Sequence, residues 1–225
     1  MDTELHRRLT ALDTGAVSDA LDQLGLQGAT HGIRPIWQAP RIAGPAVTVK
    51  ATAAGSTRPE QHINIHAIAS AEPGSVLVID NGGRPDVSCL GDLQSLAAKT
   101  RGLSGAVIDG ACRDADSIRE MGFPVFTRAV VPITARSRVQ QEGWNVLVQM
   151  GGVQVRPGDW VIADGSGVCF IPSERAEEVI AAAEDIVRRE EQMAEAVRRG
   201  MSIVDVMTDF NYERMLEEQR AADKR

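Results

Sequence analysis

Two short clusters in this chain combine residue types that do chemistry. One is Gly91-Asp92-Leu93-Gln94, and the other is Gly110-Ala111-Cys112-Arg113-Asp114. Twenty residues lie between Asp92 and Arg113, room for one helix and one strand. In α/β folds ligands gather at the carboxyl ends of strands, so two strand-to-helix loops from parallel neighbours would open on one edge. An aspartate from each loop offers oxygen ligands to a hard divalent cation such as Mg²⁺ or Mn²⁺, with water filling most of the shell. Arg113 presents a planar fork of donors to a carboxylate or keto oxygen. A helix opening at Asp92-Leu93 adds free backbone N–H groups, a ready carboxylate site. Together these residues point to metal-assisted chemistry on a small oxo acid. They also have a bland reading, Asp92 as a helix cap and Arg113-Asp114 as an ion-paired turn, and spacing alone does not choose between the two.

Periodicity supplies the framework around these residues. Residues 3–12 read as a short helix, and 16–24 as a second with Thr14 as N-cap and Gly25 as stop. Segment 42–51 alternates and is β-branched, the pattern of a strand. Residues 59–71 read as a helix, closed by Glu72-Pro73-Gly74. The runs Ser75-Val76-Leu77-Val78-Ile79-Asp80 and Ala106-Val107-Ile108-Asp109 are continuous, apolar and of strand length, hence buried strands. Between them a glycine-rich loop over 81–91 leads into a helix over 93–101, stopped by Gly102. Next come a helix over 114–121, closed by Gly122, and a short strand over 124–126.

The second half is richer in short strands. Residues 145–148 and 168–171 read as strands, and 153–155 with 160–164 as a hairpin around Arg156-Pro157-Gly158-Asp159. A long amphipathic helix spans 174–199, with Val179, Ile180, Ala183 and Val187 on a face suited to the core or a subunit interface. Alternating helices and buried strands define an α/β layered fold.

Composition bounds the partners. The chain has 225 residues, 43% of them apolar, enough for one full core. A formal net charge of −7 and the lack of a lysine–arginine stripe argue against nucleic acid. No apolar run reaches the roughly 18 residues of a membrane span, and Met1-Asp2-Thr3-Glu4 does not open like a secretory signal. The three cysteines, Cys89, Cys112 and Cys169, form no CxxC pair and suit a reducing compartment, so a cytoplasmic location is expected.

Several other residues carry weaker signals. His62 and His66 have the i, i+4 spacing of a helical zinc pair, but the HExxH glutamate is missing and a pocket-rim or packing role is the simpler reading. Cys112 sits beside Arg113-Asp114 without an evident histidine partner and reads as a small core residue, while Cys89 is placed to line a pocket. Arg84 and Asp86, in the glycine-rich loop, are candidates for contacting the far end of a substrate, or are simply solvated. Gly82-Gly83 reads as turn chemistry, and with neither GxGxxG nor a P-loop no nucleotide cofactor is expected.

Asp92, twenty residues, then Arg113-Asp114 resembles the signature of the class II pyruvate aldolases typified by 4-hydroxy-4-methyl-2-oxoglutarate aldolase. That family also takes in the proteins called regulator of ribonuclease activity A. Further landmarks resemble it: Thr14 with Ser18-Asp19-Ala20-Leu21, Gly32-Ile33-Arg34-Pro35, Gly44-Pro45-Ala46-Val47-Thr48-Val49, Pro73-Gly74-Ser75, Gly122-Phe123-Pro124 and Asp164-Gly165-Ser166-Gly167. The resemblance covers roughly residues 5–205. It implies a swivelling β/β/α layered domain over 1–205, with a tail over 206–225 whose Phe210 and Tyr212 are placed to pack on a neighbour. It also implies homotrimers or dimers of trimers with active sites between subunits.

By the same resemblance Asp114 binds the metal directly, while Asp92 and Glu190 act through water, Glu190 coming from a neighbouring subunit and Glu191 standing second. Backbone amides of Gly91, Asp92, Leu93 and Gln94 take a pyruvate carboxylate, and Arg113 contacts the substrate oxygens. The implied activity is retro-aldol cleavage of a 4-hydroxy-2-oxo acid, with oxaloacetate decarboxylation through the same enolate. The alternatives are a non-catalytic regulator of a ribonuclease, or a lyase on a different carboxylic acid. Loop 83–90 departs from the shorter acidic loop of the aldolases, so the substrate is the least transferable part.

Overall fold

The computed structural model describes residues 2–55 and 62–209. The helix Thr3–Ala11 (α1) is capped by Asp2, whose carboxylate accepts the N–H groups of Glu4 and Leu5. Helix Thr14–Gln23 (α2) is capped by Asp13, not by Thr14. The Thr14 hydroxyl is committed elsewhere, donating to Asp164 at 2.7 Å. Strands Arg34–Pro35 (β1) and Ile42–Ala53 (β2), helix Ile65–Ser70 (α3) and strand Val76–Asp80 (β3) come next. Then come Asp92–Arg101 (α4), Gly105–Cys112 (β4), Ala115–Glu120 (α5) and Val125–Val130 (β5). The second half holds Val139–Trp144 (β6), Val148–Met150 (β7), Val153–Val155 (β8), Trp160–Asp164 (β9) and Gly167–Ile171 (β10). A 3₁₀ turn at Ser173–Arg175 leads into the long helix Ala176–Arg198 (α6), and Ile203–Asp209 (α7) closes the described chain.

The main sheet runs β1-β5-β4-β3-β2-β9-β10, with β6 paired to the far end of β2. Strands β2, β3, β4 and β5 are mutually parallel. The length of β2 lets it serve three partners: Ile42–Pro45 against β9, Ala46–Lys50 against β3 and Val49–Ala53 against β6. Every residue of β3 and of β4 is buried, which is why their sequences read as unbroken apolar runs. Leu77, Ile79, Ala106 and Ile108 face α3, α4 and α5 through Ile68, Ala98 and Ile118. Val76, Val78 and Val107 face the other way, against the β7–β8 hairpin and strands β9 and β10. Helices α1, α2 and α6 cover β9 and β10 in a third cluster. The result is the β/β/α layering that the resemblance implied.

Three local expectations need correction. Helix α3 begins at Ile65, after Asn64 in a left-handed turn, so the expected helix over 59–71 is short, and its residues 59–61 lie outside those described. The expected strand over 145–148 is mostly a turn: Asn145 has φ 50°, and pairing resumes only at Val148. The expected hairpin between 153–155 and 160–164 does not form. Strand β8 pairs with β7, and β9 pairs with β10 and β2, so the Arg156–Asp159 turn links two separate pairings. Asp159 still caps that turn, accepting the Arg156 N–H at 2.7 Å. Among the described residues no helix is long and apolar enough to cross a membrane.

Candidate active site at the ends of strands β3 and β4

The two chemistry-bearing clusters meet because the loop leaving β3 is laid along the end of β4. Asn81 and Gly83 both donate their N–H groups to the Asp109 carbonyl, at 3.1 and 3.0 Å. Ser88 bridges Ala111 in parallel, Cys89 N–H bonds the Ala111 carbonyl at 2.9 Å, and Arg113 N–H bonds the Leu90 carbonyl at 3.0 Å. The β4–β5 register breaks between Ile108 and Ala111. Bulges of this kind bend a strand and re-aim the residues beyond the bend. Gly110 lies inside the break, and a Cβ there would stand 2.8 Å from the Asn81 Cβ, so the loop could not lie this close on any larger residue.

The loop delivers Gly91 onto Arg113 and Asp114. A Cβ on Gly91 would come within 2.7 Å of Asp114 Oδ2 and 3.1 Å of Arg113 Nε. Asp92 opens α4, and its backbone N–H donates to Asp114 Oδ2 at 3.2 Å. The same Oδ2 receives Arg113 Nε at 3.2 Å. Leu93 N–H is capped by the carboxylate of Asp92 itself at 2.7 Å. Carboxylates thus occupy the helix start where an incoming anion would bind. Asp114 has φ 57° and ψ 36°, the left-handed region. For a non-glycine residue this costs on the order of 1–3 kcal/mol, and aspartate is among the residues that tolerate it. The contacts to Asp92 and Arg113 hold it there.

A cavity of about 880 Å³ opens over these residues. Gly91, Asp92 and Arg113 form part of its wall, and Ile63, Ile65, Ile68, Leu90, Leu93 and Leu96 supply an apolar part. Asp114 does not line it, since its Oδ2 is turned to the Asp92 amide and Arg113. The Gln94 side chain is a brace: it donates to the Ile63 carbonyl at 2.9 Å and accepts from Asn64 Nδ2 at 2.9 Å. Asn64 in turn donates to the Cys89 carbonyl at 2.7 Å, tying α3, α4 and the glycine-rich loop together. Gln94 therefore serves the site through its backbone and its bracing.

The other sequence candidates separate cleanly. His62 lines the cavity but precedes α3, and His66 stacks on Trp144 with centroids 6.2 Å apart, so the two do not form a helical metal pair. Cys89 lines the cavity. Burial pushes the Cys112 thiol up to about 12 and raises that of Cys89 as well, which suits packing rather than nucleophilic chemistry. Arg84 and Asp86 pair with each other at 3.1 Å and do not line the cavity, so the far-end role considered for them is not supported by their placement. Residues that sequence reasoning passed over do line it, notably Arg101, Thr134 and Arg136. No local pattern marks them, because they come from a helix end and from the β5–β6 connection.

Glu190 does not line this cavity in its own chain. It lies on α6, where partial desolvation and the carboxylates of Asp13 and Asp19 push its carboxyl above the usual range. Among the described residues no three of His, Cys, Asp and Glu gather as a ligand set within one chain. Asp114 meets Asp92 through the Asp92 backbone N–H; the two carboxylates are oxygen ligands of the kind that suit a hydrated hard cation such as Mg²⁺ or Mn²⁺, which keeps several waters. They lack the nitrogen and sulfur ligands of a zinc site.

Comparison with known proteins agrees with this architecture. The RraA-like model described as Aldolase/RraA matches residues 14–170. The chain belongs to the Aldolase/RraA family. Protein DlpA of Legionella pneumophila is 32% identical over 209 residues, covering 93% of this chain, which itself spans only 34% of DlpA. A Halalkalibacterium halodurans protein named "Putative 4-hydroxy-4-methyl-2-oxoglutarate aldolase" is 36% identical over 75% of this chain and 77% of its own length. The crystal structure of Streptomyces coelicolor RraAS2, described as an unusual member of the RNase ES inhibitor RraA protein family, superposes with a TM-score of 0.77. It is 30% identical, over 85% of this chain and 96% of that one. At family level the aldolase names mark a lyase lineage, beside members named as ribonuclease inhibitors.

Proposed function

We propose that this chain is a divalent-metal-dependent lyase that cleaves a carbon–carbon bond in a small 2-oxo acid through a pyruvate enolate. The observation that carries the reading is the convergence of the Asp92 amide and Arg113 Nε on one Asp114 oxygen, each at 3.2 Å, beside a cavity that Asp92 and Arg113 line. A helix cap needs no arginine, and an ion-paired turn needs no left-handed aspartate pressed against a glycine. The aldolase names of relatives at 36% and 35% identity support the same chemistry.

Asp114 would hold the cation directly, with Asp92 and a neighbouring subunit's Glu190 acting through water. When bound, the cation supplies Lewis acidity toward the 2-oxo group. The first-turn amides of α4 would bind the substrate carboxylate once it displaces the Asp114 and Asp92 carboxylates that accept the Asp92 and Leu93 N–H groups. Arg113 faces the keto oxygen, where negative charge grows as the C3–C4 bond breaks, and stabilises that charge. Asp92 takes the proton from the 4-hydroxyl, directly or through one water, and a proton returns to C3 of the enolate. The same enolate arises when oxaloacetate loses CO₂, so one site performs both reactions.

Supply of Glu190 by a second copy requires an oligomer, and the homotrimer or dimer of trimers that the resemblance implies would meet that requirement. Leu93 and Leu96, 75% and 50% exposed beside the cavity, suit such a contact. The test is pyruvate release from 4-hydroxy-4-methyl-2-oxoglutarate and from oxaloacetate, with Mg²⁺ or Mn²⁺ and then with EDTA. Release that disappears on chelation supports the reading. Absence of turnover on both acids in added metal would favour a lyase on another carboxylic acid. It would equally favour a ribonuclease regulator, the reading that the likeness to RraAS2 supports.

A further inference from the structure

The cavity wall is charged at its rim and mostly apolar where it is enclosed. Asp92, Arg101 and Arg136 are exposed, whereas Ile63, Ile68, Cys89 and Leu90 are buried. One hydroxyl belongs to the enclosed part. Ser88 lines the cavity and is only 2% exposed. Among the described residues its hydroxyl has no hydrogen-bond partner, and its oxygen is not sealed inside the protein, so it faces the cavity. Other polar groups of the wall are committed. Gln94 is held by Asn64 and Ile63, Thr134 Oγ1 accepts the Arg136 N–H at 3.3 Å, and Arg101 Nε donates to the Ala71 carbonyl at 2.9 Å. A buried hydroxyl left without a partner costs free energy, and in a cavity wall a ligand can recover that cost.

The backbone fixes where this hydroxyl stands. Ser88 N–H bonds the Ile133 carbonyl at 3.0 Å, and Cys89 N–H bonds the Ala111 carbonyl at 2.9 Å. Ser88 itself pairs with Ala111, two residues before Arg113, and lies three residues before Gly91 on the same loop. It is thus held between the two catalytic loops, with its side-chain torsion as the remaining freedom. A substrate with its carboxylate at the first turn of α4 and its keto oxygen toward Arg113 sends its C4 end into the rest of the cavity. There Ser88 is the buried hydroxyl within the apolar wall.

We propose that Ser88 is a catalytic residue whose O–H donates to the 4-hydroxyl oxygen of the substrate. The proposal rests on the lyase reading above. In retro-aldol cleavage the 4-hydroxyl proton leaves for Asp92, directly or through one water. The O–H electron pair becomes the new carbonyl bond, and the C3–C4 pair passes into the enolate, which then takes a proton at C3. A donor on the 4-oxygen turns the substrate's own O–H toward its base and stabilises the alkoxide charge that develops as the proton leaves. Oxaloacetate has no 4-hydroxyl and gives up no proton when it loses CO₂. A hydrogen bond to its departing carboxylate would hold the ground state rather than the transition state. Ser88 therefore favours aldol cleavage over decarboxylation at the same site.

The experiment measures kcat/KM for pyruvate release from 4-hydroxy-2-oxoglutarate and from oxaloacetate, in wild type, Ser88→Ala and Ser88→Cys, with saturating Mg²⁺. The readout is the ratio of the two values, which cancels any loss of folded enzyme. Ser88→Ala is expected to lower the aldol-to-decarboxylase ratio roughly threefold to tenfold. Ser88→Cys keeps the volume but replaces the hydroxyl by a weak donor, so it should fall with alanine; a role in packing alone would leave it with wild type. A ratio that Ser88→Ala leaves unmoved, or that Ser88→Cys restores, overturns the assignment while leaving the lyase reading intact. So does a wild type that decarboxylates oxaloacetate but does not cleave the 4-hydroxy acid. Failure of wild type to release pyruvate from either acid overturns both.

Discussion

Replacing Gly91 by alanine adds one methyl group at the point where the two catalytic loops touch. The backbone there is extended, with φ −135° and ψ −173°, so alanine meets no conformational penalty and the whole effect is steric. The new Cβ would lie 2.7 Å from Asp114 Oδ2, about 0.7 Å inside ordinary van der Waals contact, and 3.1 Å from Arg113 Nε. Both side chains are about a third exposed, 39% and 32%, so they can swing away rather than unfold the chain. A displacement approaching 1 Å at a catalytic group costs on the order of 10²-fold in rate. Gly91→Ala should therefore lose about a hundredfold in kcat for pyruvate release. The overpacking cost should stay near 1 kcal/mol, moving Tm by about 2–4 °C. The matched control is Gly165→Ala, where an added Cβ meets nothing within 4 Å. Pyruvate release and a thermal melt on both variants decide the matter. If Gly91→Ala retained activity within threefold of wild type, the contact between the two loops would not be the catalytic geometry.

The same residues give further expected outcomes. Asp114→Ala and Asp114→Gly should both abolish retro-aldol cleavage and oxaloacetate decarboxylation together. The glycine variant should be the more stable by about 1 kcal/mol, because it accepts the left-handed φ of 57° freely; a melt of the pair checks this, and survival of either activity would count against a shared enolate. Mn²⁺ should raise the Tm of wild type but not of Asp114→Ala, and EDTA should reverse the rise. The raised carboxyl of Glu190 means that its protonated form favours the folded chain and that this contribution is lost as pH rises through its folded pKa. Glu190→Gln should therefore raise Tm at pH 7, with the gain fading as pH falls into the ordinary carboxylate range; an equal gain at both extremes would show that charge is not the cause.

How much of this was legible in the sequence depends on the range over which each feature is encoded. Buried strands β3 and β4 announce themselves, because a strand covered on both faces needs apolar residues throughout. The meeting of Asp92 with Arg113 and Asp114 was also readable, since it needs only two adjacent parallel strands and their loops. The β7–β8 pairing was not, because three-residue strands carry almost no periodicity and a Pro-Gly turn between two runs looks like any hairpin. Thr14 was misread as a cap because its true partner, Asp164, lies 150 residues away. The bracing of Gln94 by Asn64 and the presence of Arg136 in the cavity wall have the same origin: contacts between distant segments leave no local pattern.

The fold also explains how a strained residue can be kept at the site. On the face of the sheet away from α3 and α4, Asp80 at the end of β3 sits opposite Asp109 within β4. Asp80 pairs with Lys50 at 2.6 Å and accepts the Gln149 N–H at 2.9 Å. Asp109 pairs with Arg128 and accepts the Gly151 N–H at 2.8 Å. Each carboxylate is nearly inaccessible and has both a cation and a hairpin amide, which is the condition under which a buried charge is tolerated. Removing one partner would leave the other charge buried and unpaired, at a cost of about 3–5 kcal/mol. These pairs lock the hairpin onto the strand ends, and the backbone of Asp109 at the same time holds Asn81 and Gly83. One residue thus anchors the hairpin through its side chain and the glycine-rich loop through its carbonyl, four and five positions before Arg113 and Asp114. Rigidity on the buried face is what allows a left-handed aspartate, a crowded glycine and an open cavity to coexist on the other.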